Sequence, residues 1–160
     1  MNEEALKRVF CFIDDEDKHD AIDTIISSCT IFDELPDKER FIKAVHRRER
    51  VQSTGIGHGV AIAHGKIPDI DSVHIALGFS EKGIIFDTHY PDPVHLVFVI
   101  SSPVKKESAY LRAVAAILTW VHEPEFREKL VKRSWDDEDV KHFMKMLEDQ
   151  DFAPRYSSGQ

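Results

Sequence analysis

Apolar residues follow helical spacing toward both ends of the chain and strand spacing in its middle. From Asp17 to Cys29, DKHDAIDTIISSC sets Ala21, Ile22, Ile25, Ile26 and Cys29 on one stripe behind an aspartate suited to capping, which predicts an amphipathic helix. A second helix is predicted from about Asp37, after Pro36, to near Glu49, with Phe41, Ile42 and Val45 on one face and Lys38, Glu39 and Arg47 opposite. The middle reads differently: GVAIAHG, SVHIALGFS, GIIFD and VHLVFVISS are short β-branched or aromatic runs between glycine, proline and acidic turns, the pattern of strands. Glu81-Lys82-Gly83 suits a tight connection between two of them, and Leu96 to Ile100, apolar almost throughout, reads as a central strand covered on both faces. After Pro103 the helical period returns with Leu111, Val114, Ala115, Leu118 and Val121 as the face packed on the sheet. Glu123 to Val131 is a shorter helical stretch, and Ser134-Trp135-Asp136-Asp137 reads as a capping box before a helix with Val140, Phe143, Met144 and Leu147 inward.

Helices, then strands, then helices predict an α/β fold: a mixed sheet of about five strands flanked by helices on both faces. No repeat or low-complexity linker divides the chain, so residues 1–154 are expected to form one domain and 155–160 a disordered tail. A length of 160 residues with 42% hydrophobic content is enough to bury a core. The net charge of -8 disfavours nucleic acid and anionic membrane surfaces and favours a protein or small-molecule partner. The N-terminal apolar run is cut short by acids, too short for a secretory leader or a membrane span, which points to a cytoplasmic chain. Cys11 and Cys29 make no CxxC pair and read as reduced packing residues rather than a catalytic thiol or a disulfide.

The chemistry concentrates in TGIGHGVAIAHGK, Thr54 to Lys66. Gly55, Gly57, Gly59 and Gly65 would let the backbone turn tightly and present N–H groups to phosphate oxygens, although a plain surface turn has the same look. The run matches neither GxxxxGK[ST] nor a GxGxxG that continues into a helix, so a nucleotide site is not supported. His64 follows the apolar run VAIA and is expected at a strand end, held by a rigid sheet and open to a partner. A neutral imidazole is a competent nucleophile near neutral pH, and a phosphoramidate at its nitrogen keeps high transfer potential. Such transfer passes through a loose, charge-spread transition state, so its helpers are cations and oriented donors. Arg48, in the run Arg47-Arg48-Glu49-Arg50, is the candidate clamp on the oxygens. Ser53, Thr54, Gly57, His58, Gly65 and Lys66 are candidate phosphate contacts; turn capping by Ser53 and Thr54, and simple exposure of His58 and Lys66, are the rival accounts. Glu49 either orients the Arg48 guanidinium or ends a solvated helix.

Nine histidines raise the question of a metal, with His58, His64, His74, His89 and His95 all in the strand region. There is no HExxH and no paired Cys/His spacing, so no metal site is predicted. His74 and His95 read as partly buried hydrogen-bonding residues, and His19, His46 and His142 as solvated residues on polar helix faces.

The segment RExxxSTGIGxGVAIxHGK, Arg48 to Lys66, resembles enzyme IIA of the fructose/mannitol type of the bacterial phosphoenolpyruvate-dependent phosphotransferase system, a family that includes the nitrogen-regulatory enzyme IIA proteins. GIIFDTHYPDPVHLVFVISSP and the helices on either side extend the resemblance over most of residues 5 to 150. The resemblance implies that His64 is phosphorylated by the histidine-containing phosphocarrier protein and passes the group to a cysteine of enzyme IIB, with Arg48 beside it and no metal or organic cofactor. It also implies a mixed sheet flanked by helices. Two positions depart from the family pattern: Ala63 stands where proline usually precedes the histidine, and Tyr110 stands where many transport members place a second histidine. A phenol donates one hydrogen bond and carries no positive charge. Tyr110 is therefore counted among the phosphate contacts, and its neutrality turns the expectation toward a regulatory enzyme IIA, whose phosphorylation state changes its binding to a target protein. The alternatives are a stand-alone IIA component of a sugar transporter, without IIB or IIC segments, and a binding module that keeps the fold without the chemistry.

Overall fold

The computed structural model describes residues 2–152. Most of its helices begin at an aspartate or asparagine whose side chain accepts first-turn N–H groups. Asn2 caps α1 (Glu3–Val9), Asp17 caps α2 (Lys18–Ser28), Asp37 caps α3 (Lys38–Val51) and Asp137 caps α6 (Glu138–Asp149). The last of these corrects the expected capping box, since Asp137 rather than Ser134 receives the N–H groups of Asp139 and Val140. Helices α4 (Glu107–Val121) and α5 (Pro124–Val131) start without a side-chain cap, α5 instead with proline in its first turn.

Five strands form one mixed sheet: β1 (Phe10–Ile13), β2 (Gly55–Gly57), β3 (Val60–Ile67), β4 (His74–Ile84) and β5 (Val94–Pro103), in the order β1-β4-β5-β3-β2. β1 runs parallel to β4, and β3 parallel to β5; β4 is antiparallel to β5 and β2 to β3. β5 is the central strand, buried along nearly its whole length, as its apolar run predicts. Strand alternation then divides the core in two. Ala61, Ala63, Ile67, Val97 and Val99 pack with the buried faces of α2 and α3, while Val60, Ile62, Leu96, Phe98 and Ile100 pack with those of α1, α4, α5 and α6. Helices thus cover both faces, as expected.

Three expectations change. Glu81-Lys82-Gly83 does not join two strands; β4 runs on to Ile84 through a register shift, with the Gly83 N–H donating to Ser80 Oγ at 3.0 Å. GIIFD is therefore the end of β4 and the start of a loop, not a strand of its own. α4 is rotated relative to its predicted face: Ala113, Ile117 and Val121 are buried, whereas Leu111 is 57% and Leu118 38% exposed. α4 is apolar on most of its circumference, so leucine positions alone do not fix the contact, and small side chains let the helix sit closer to the sheet. The expected tail lies outside the described residues.

One glycine sets how closely α3 approaches the sheet. A Cβ built on Gly65 would lie 2.9 Å from the Val45 backbone nitrogen and 3.0 Å from Ala44 Cβ. Gly65→Ala is therefore expected to destabilise the fold by about 1–3 kcal/mol through forced separation of α3 and β3. Urea unfolding checks this; an unchanged midpoint would show that the helix shifts without cost.

Candidate functional site

His64 sits inside β3 rather than at its end, paired in register with Ile100 of β5. The expected strand end fails because the apolar-to-polar change at HGK is not a break in pairing, which continues to Ile67 alongside Pro103. The openness expected there comes from the other edge. β2 pairs only with Val60 and Ala61, and the Thr54 carbonyl takes the Ile62 N–H, so β2 stops short of His64. By alternation the imidazole projects from the α4 side of the sheet, where it is half-buried.

There it meets Tyr110 in the first turn of α4. The phenol oxygen is 3.3 Å from His64 Nδ1, and the two ring centroids are 4.7 Å apart at 41°. One β3 pleat and one α4 turn away, Lys66 Nζ is 2.5 Å from Glu107 Oε2. Arg48, in the last turns of α3, donates to the Gln52 carbonyl at 2.8 Å, and its charge reaches both His64 and Tyr110. Burial, above all, holds the His64 imidazole below the ordinary histidine value; Arg48 pushes the same way, a backbone hydrogen bond at Ile62 pulls it up, and Lys66 again lowers it. Burial raises the Tyr110 phenol, with Arg48 opposing and Glu107 adding. At neutral pH the site thus pairs a neutral imidazole with a neutral phenol beside a fixed cation.

The other candidates divide. Ser53 precedes Thr54 along the strip beside β3, and its Oγ accepts the Gly55 N–H at 3.1 Å. Thr54 is buried, and both its donors are used: its N–H at 2.9 Å and its hydroxyl at shorter range reach the Glu49 carboxylate. Glu49 is neither an orienter of Arg48 nor a solvated helix end. Its side chain is fully buried and also receives Lys18 Nζ at 3.0 Å, which in turn donates to the Phe86 carbonyl at 2.8 Å. Gly57 and His58 form the exposed tip of the β2–β3 hairpin with left-handed backbones, φ of 88° and 58°. Val60, two residues after His58, is four residue steps along β3 from His64, roughly 13 Å of strand, so the tip stands apart from the imidazole. Gly65 faces α3, on the opposite side of the sheet from His64. Lys66 shares the His64 face but is paired with Glu107.

Sequence reading passed over several groups. Ser101 and Ser102, at the end of β5, are fully buried, and among the described residues neither hydroxyl has a hydrogen-bond partner. The apolar context VFVISSP hid them, because two serines at a strand end read as the start of a turn. His19 and His46, expected to be solvated, meet across α2 and α3 with their Nδ1 atoms 2.7 Å apart, and His46 Nε2 is 2.7 Å from Asp23 Oδ1. That contact joins two helices through residues 27 positions apart, beyond the reach of a helical-face reading. His95 behaves as expected, its Nδ1 2.8 Å from the Ser80 carbonyl. Among the described residues no group of three His, Cys, Asp or Glu side chains is placed to hold a metal, and no helix is long and apolar enough to cross a membrane.

His74 is also held below the ordinary histidine value, chiefly by burial. With His64 and His74 both depressed, the unfolded chain binds more protons than the folded one below that value. Stability therefore rises with pH through this window and is lost as pH falls through it. The urea midpoint at about pH 5.5 is expected below that at about pH 7.5, and His64→Gln should narrow the gap. A gap of the same size in the variant would mean that His64 titrates alike in both states.

The family model described as "Phosphoenolpyruvate-dependent sugar phosphotransferase system, EIIA 2" matches residues 5–152. The chain is 30% identical over 125 residues to the PTS system fructose-specific EIIABC component of Bacillus subtilis, covering 78% of this chain and 20% of that protein. It is 31% identical over 84 residues to the Nitrogen regulatory protein of Bradyrhizobium diazoefficiens, covering 52% of this chain and 55% of that one. It therefore spans a fifth of the first relative and about half of the second. The crystal structure of Nitrogen Regulatory Protein IIA-Ntr from Neisseria meningitidis superposes with a TM-score of 0.71 at 20% identity, over 89% of this chain and 94% of that one. That likeness shows the same fold. On the match across nearly all of its described length, the chain belongs to the EIIA 2 family of the phosphoenolpyruvate-dependent sugar phosphotransferase system.

Proposed function

We propose that this chain is a phosphocarrier that accepts a phosphoryl group on His64 from the histidine-containing phosphocarrier protein. The observation that carries this reading is the contact of a half-buried His64 with Tyr110, within reach of the Arg48 charge. In the reactive tautomer Nδ1–H donates to the Tyr110 oxygen, which leaves the Nε2 lone pair free to attack phosphorus. A bond forms from Nε2 to phosphorus as the donor's nitrogen–phosphorus bond breaks; the donor ring, protonated on its other nitrogen, keeps the bonding pair and leaves as neutral imidazole, while His64 keeps its Nδ1 proton. Arg48 stabilises the charge spread over the equatorial oxygens. The depressed imidazole keeps the nucleophile unprotonated at neutral pH. The second candidate cation, Lys66, becomes available only by leaving Glu107.

For the use of the phosphoryl group, the reading favoured is regulation of the nitrogen-regulatory kind, in which the phosphorylation state alters binding to a target protein. Tyr110 supports it: a neutral phenol at the imidazole gives the phosphoryl dianion no compensating charge, so the dephosphorylated form is favoured at a given donor supply. Transfer to an enzyme IIB of a fructose/mannitol-type transporter is the second reading, supported by the likeness to the fructose-specific relative over 78% of this chain. Incubation with phosphoenolpyruvate, enzyme I and the phosphocarrier protein, followed by intact mass, tests the shared step. A gain of one acid-labile phosphoryl group is expected; no gain would leave a binding module.

A further inference from the structure

We propose that the Ser102 hydroxyl is a hydrogen-bond donor to the phosphoryl group carried by His64, a role that rests on the reading of His64 above. β3 and β5 are parallel and in register, with His64 beside Ile100 and Lys66 beside Ser102. Ile62 and Ile100 both belong to the core on the α4 side, so alternation puts His64, Lys66 and Ser102 on that same face. α4 covers it, with Glu107 against Lys66 and Tyr110 against His64. The α carbons of His64 and Ser102 are diagonal neighbours roughly 8 Å apart, from the spacing of adjacent strands and the rise of two residues. An imidazole bearing a phosphoryl group spans that gap.

Two physical facts make this hydroxyl more than a packing group. Its Oγ is fully buried and has no partner among the described residues, which costs the fold stability that alanine would restore. Among the described residues it meets no partner on that face, whereas the Tyr110 oxygen already accepts from His64 in the reactive tautomer and Lys66 is paired with Glu107. A donor closed to water and fixed on the central strand loses nothing to reorganisation when a dianion arrives, which is the arrangement that favours charge developing at a set position. Ser102 gives up no proton and forms no covalent bond; it contributes a hydrogen bond to a phosphoryl oxygen while the nitrogen–phosphorus bonds exchange.

Ser101 supplies the control. It is equally buried and equally unpartnered, but pairs with Gly65 and so belongs to the α3 side of the sheet. The experiment compares the parent chain, Ser102→Ala, Ser101→Ala and Ser102→Cys, using the phosphocarrier protein as donor. Read out are the transfer rate, the phosphorus NMR shift of the phosphohistidine and the melting temperature. Ser102→Ala is expected to transfer about tenfold more slowly or worse, with a shifted resonance and an equal or raised melting temperature. Ser102→Cys, a weaker donor, should fall between it and the parent. Ser101→Ala should match the parent in rate and resonance. If Ser102→Ala transfers at the parental rate with an unmoved resonance, or if both serine variants slow alike, the assignment is overturned while His64 stands. If the parent takes no phosphate, both are overturned.

Discussion

His64→Gln is expected to abolish phosphoryl uptake while leaving a folded protein. Glutamine is close in size and keeps polar atoms within reach of the Tyr110 hydroxyl, but its amide nitrogen has no lone pair available for attack at phosphorus. The substitution therefore removes the nucleophile with little change to packing at a half-buried position. The loss should be complete within detection, because the remaining histidines lie elsewhere. His58 is at the hairpin tip, His95 is turned to Ser80 and His19 and His46 face each other between α2 and α3. Uptake that persists in the folded variant would move the acceptor to another residue.

Arg48→Ala is expected to slow transfer by about two orders of magnitude, the usual loss when a positioned charge is withdrawn from such a transition state. Arg48→Lys should recover only part, since a point charge on a flexible stem does not reproduce the guanidinium's fork. A second readout separates this role from a structural one. Arg48 helps to hold His64 down, so its removal should raise the imidazole toward the ordinary histidine value. The acid limb of the rate profile then moves to higher pH in Arg48→Ala. Arg48 also donates to the Gln52 carbonyl at the end of α3, and a stability loss from that bond alone would lower the folded fraction without moving the limb. A parental rate with an unmoved limb would show that the guanidinium does not act on the phosphoryl group.

The parts of the fold legible in the sequence were those where one period and one environment coincide. α2 and α6 present Ile22, Ile25, Ile26 and Val140, Phe143, Leu147 to a core on one side only, so apolar spacing and burial agree. β5 read as central because no polar residue interrupts Leu96 to Ile100. β1 was missed: Phe10–Ile13 is four residues long, follows α1 directly, and leaves Phe12 exposed at the edge of the sheet, so its alternation has too few points to register. The Glu81-Lys82-Gly83 irregularity imitates a hairpin because a bulge and a tight turn call for the same residues.

In the candidate site, the strand run and the family resemblance point to His64, Arg48 and Tyr110; the structure brings His64 and Tyr110 into contact, with both inside the reach of the Arg48 charge. What sequence could not supply was the allocation of partners. Glu49 and Thr54 lie in the same segment as Arg48 but spend their polar groups on each other and on Lys18, a residue 31 positions away. Lys66, two residues after His64 in HGK, is paired with Glu107 from another element. Such pairings follow from which helix covers which face of the sheet, and they decide which donors remain free. Ser102 is the clearest case, a hydroxyl with no partner among the described residues in a run that reads as apolar.

The most direct measurement is to load the parent chain with phosphate from the phosphocarrier protein and locate the group by tandem mass spectrometry under conditions that preserve phosphohistidine. A single phosphoryl group on the His64 imidazole is the expected result. A phosphoryl group on any other side chain, or a chain that stays unmodified while the donor is fully charged, would contradict the account.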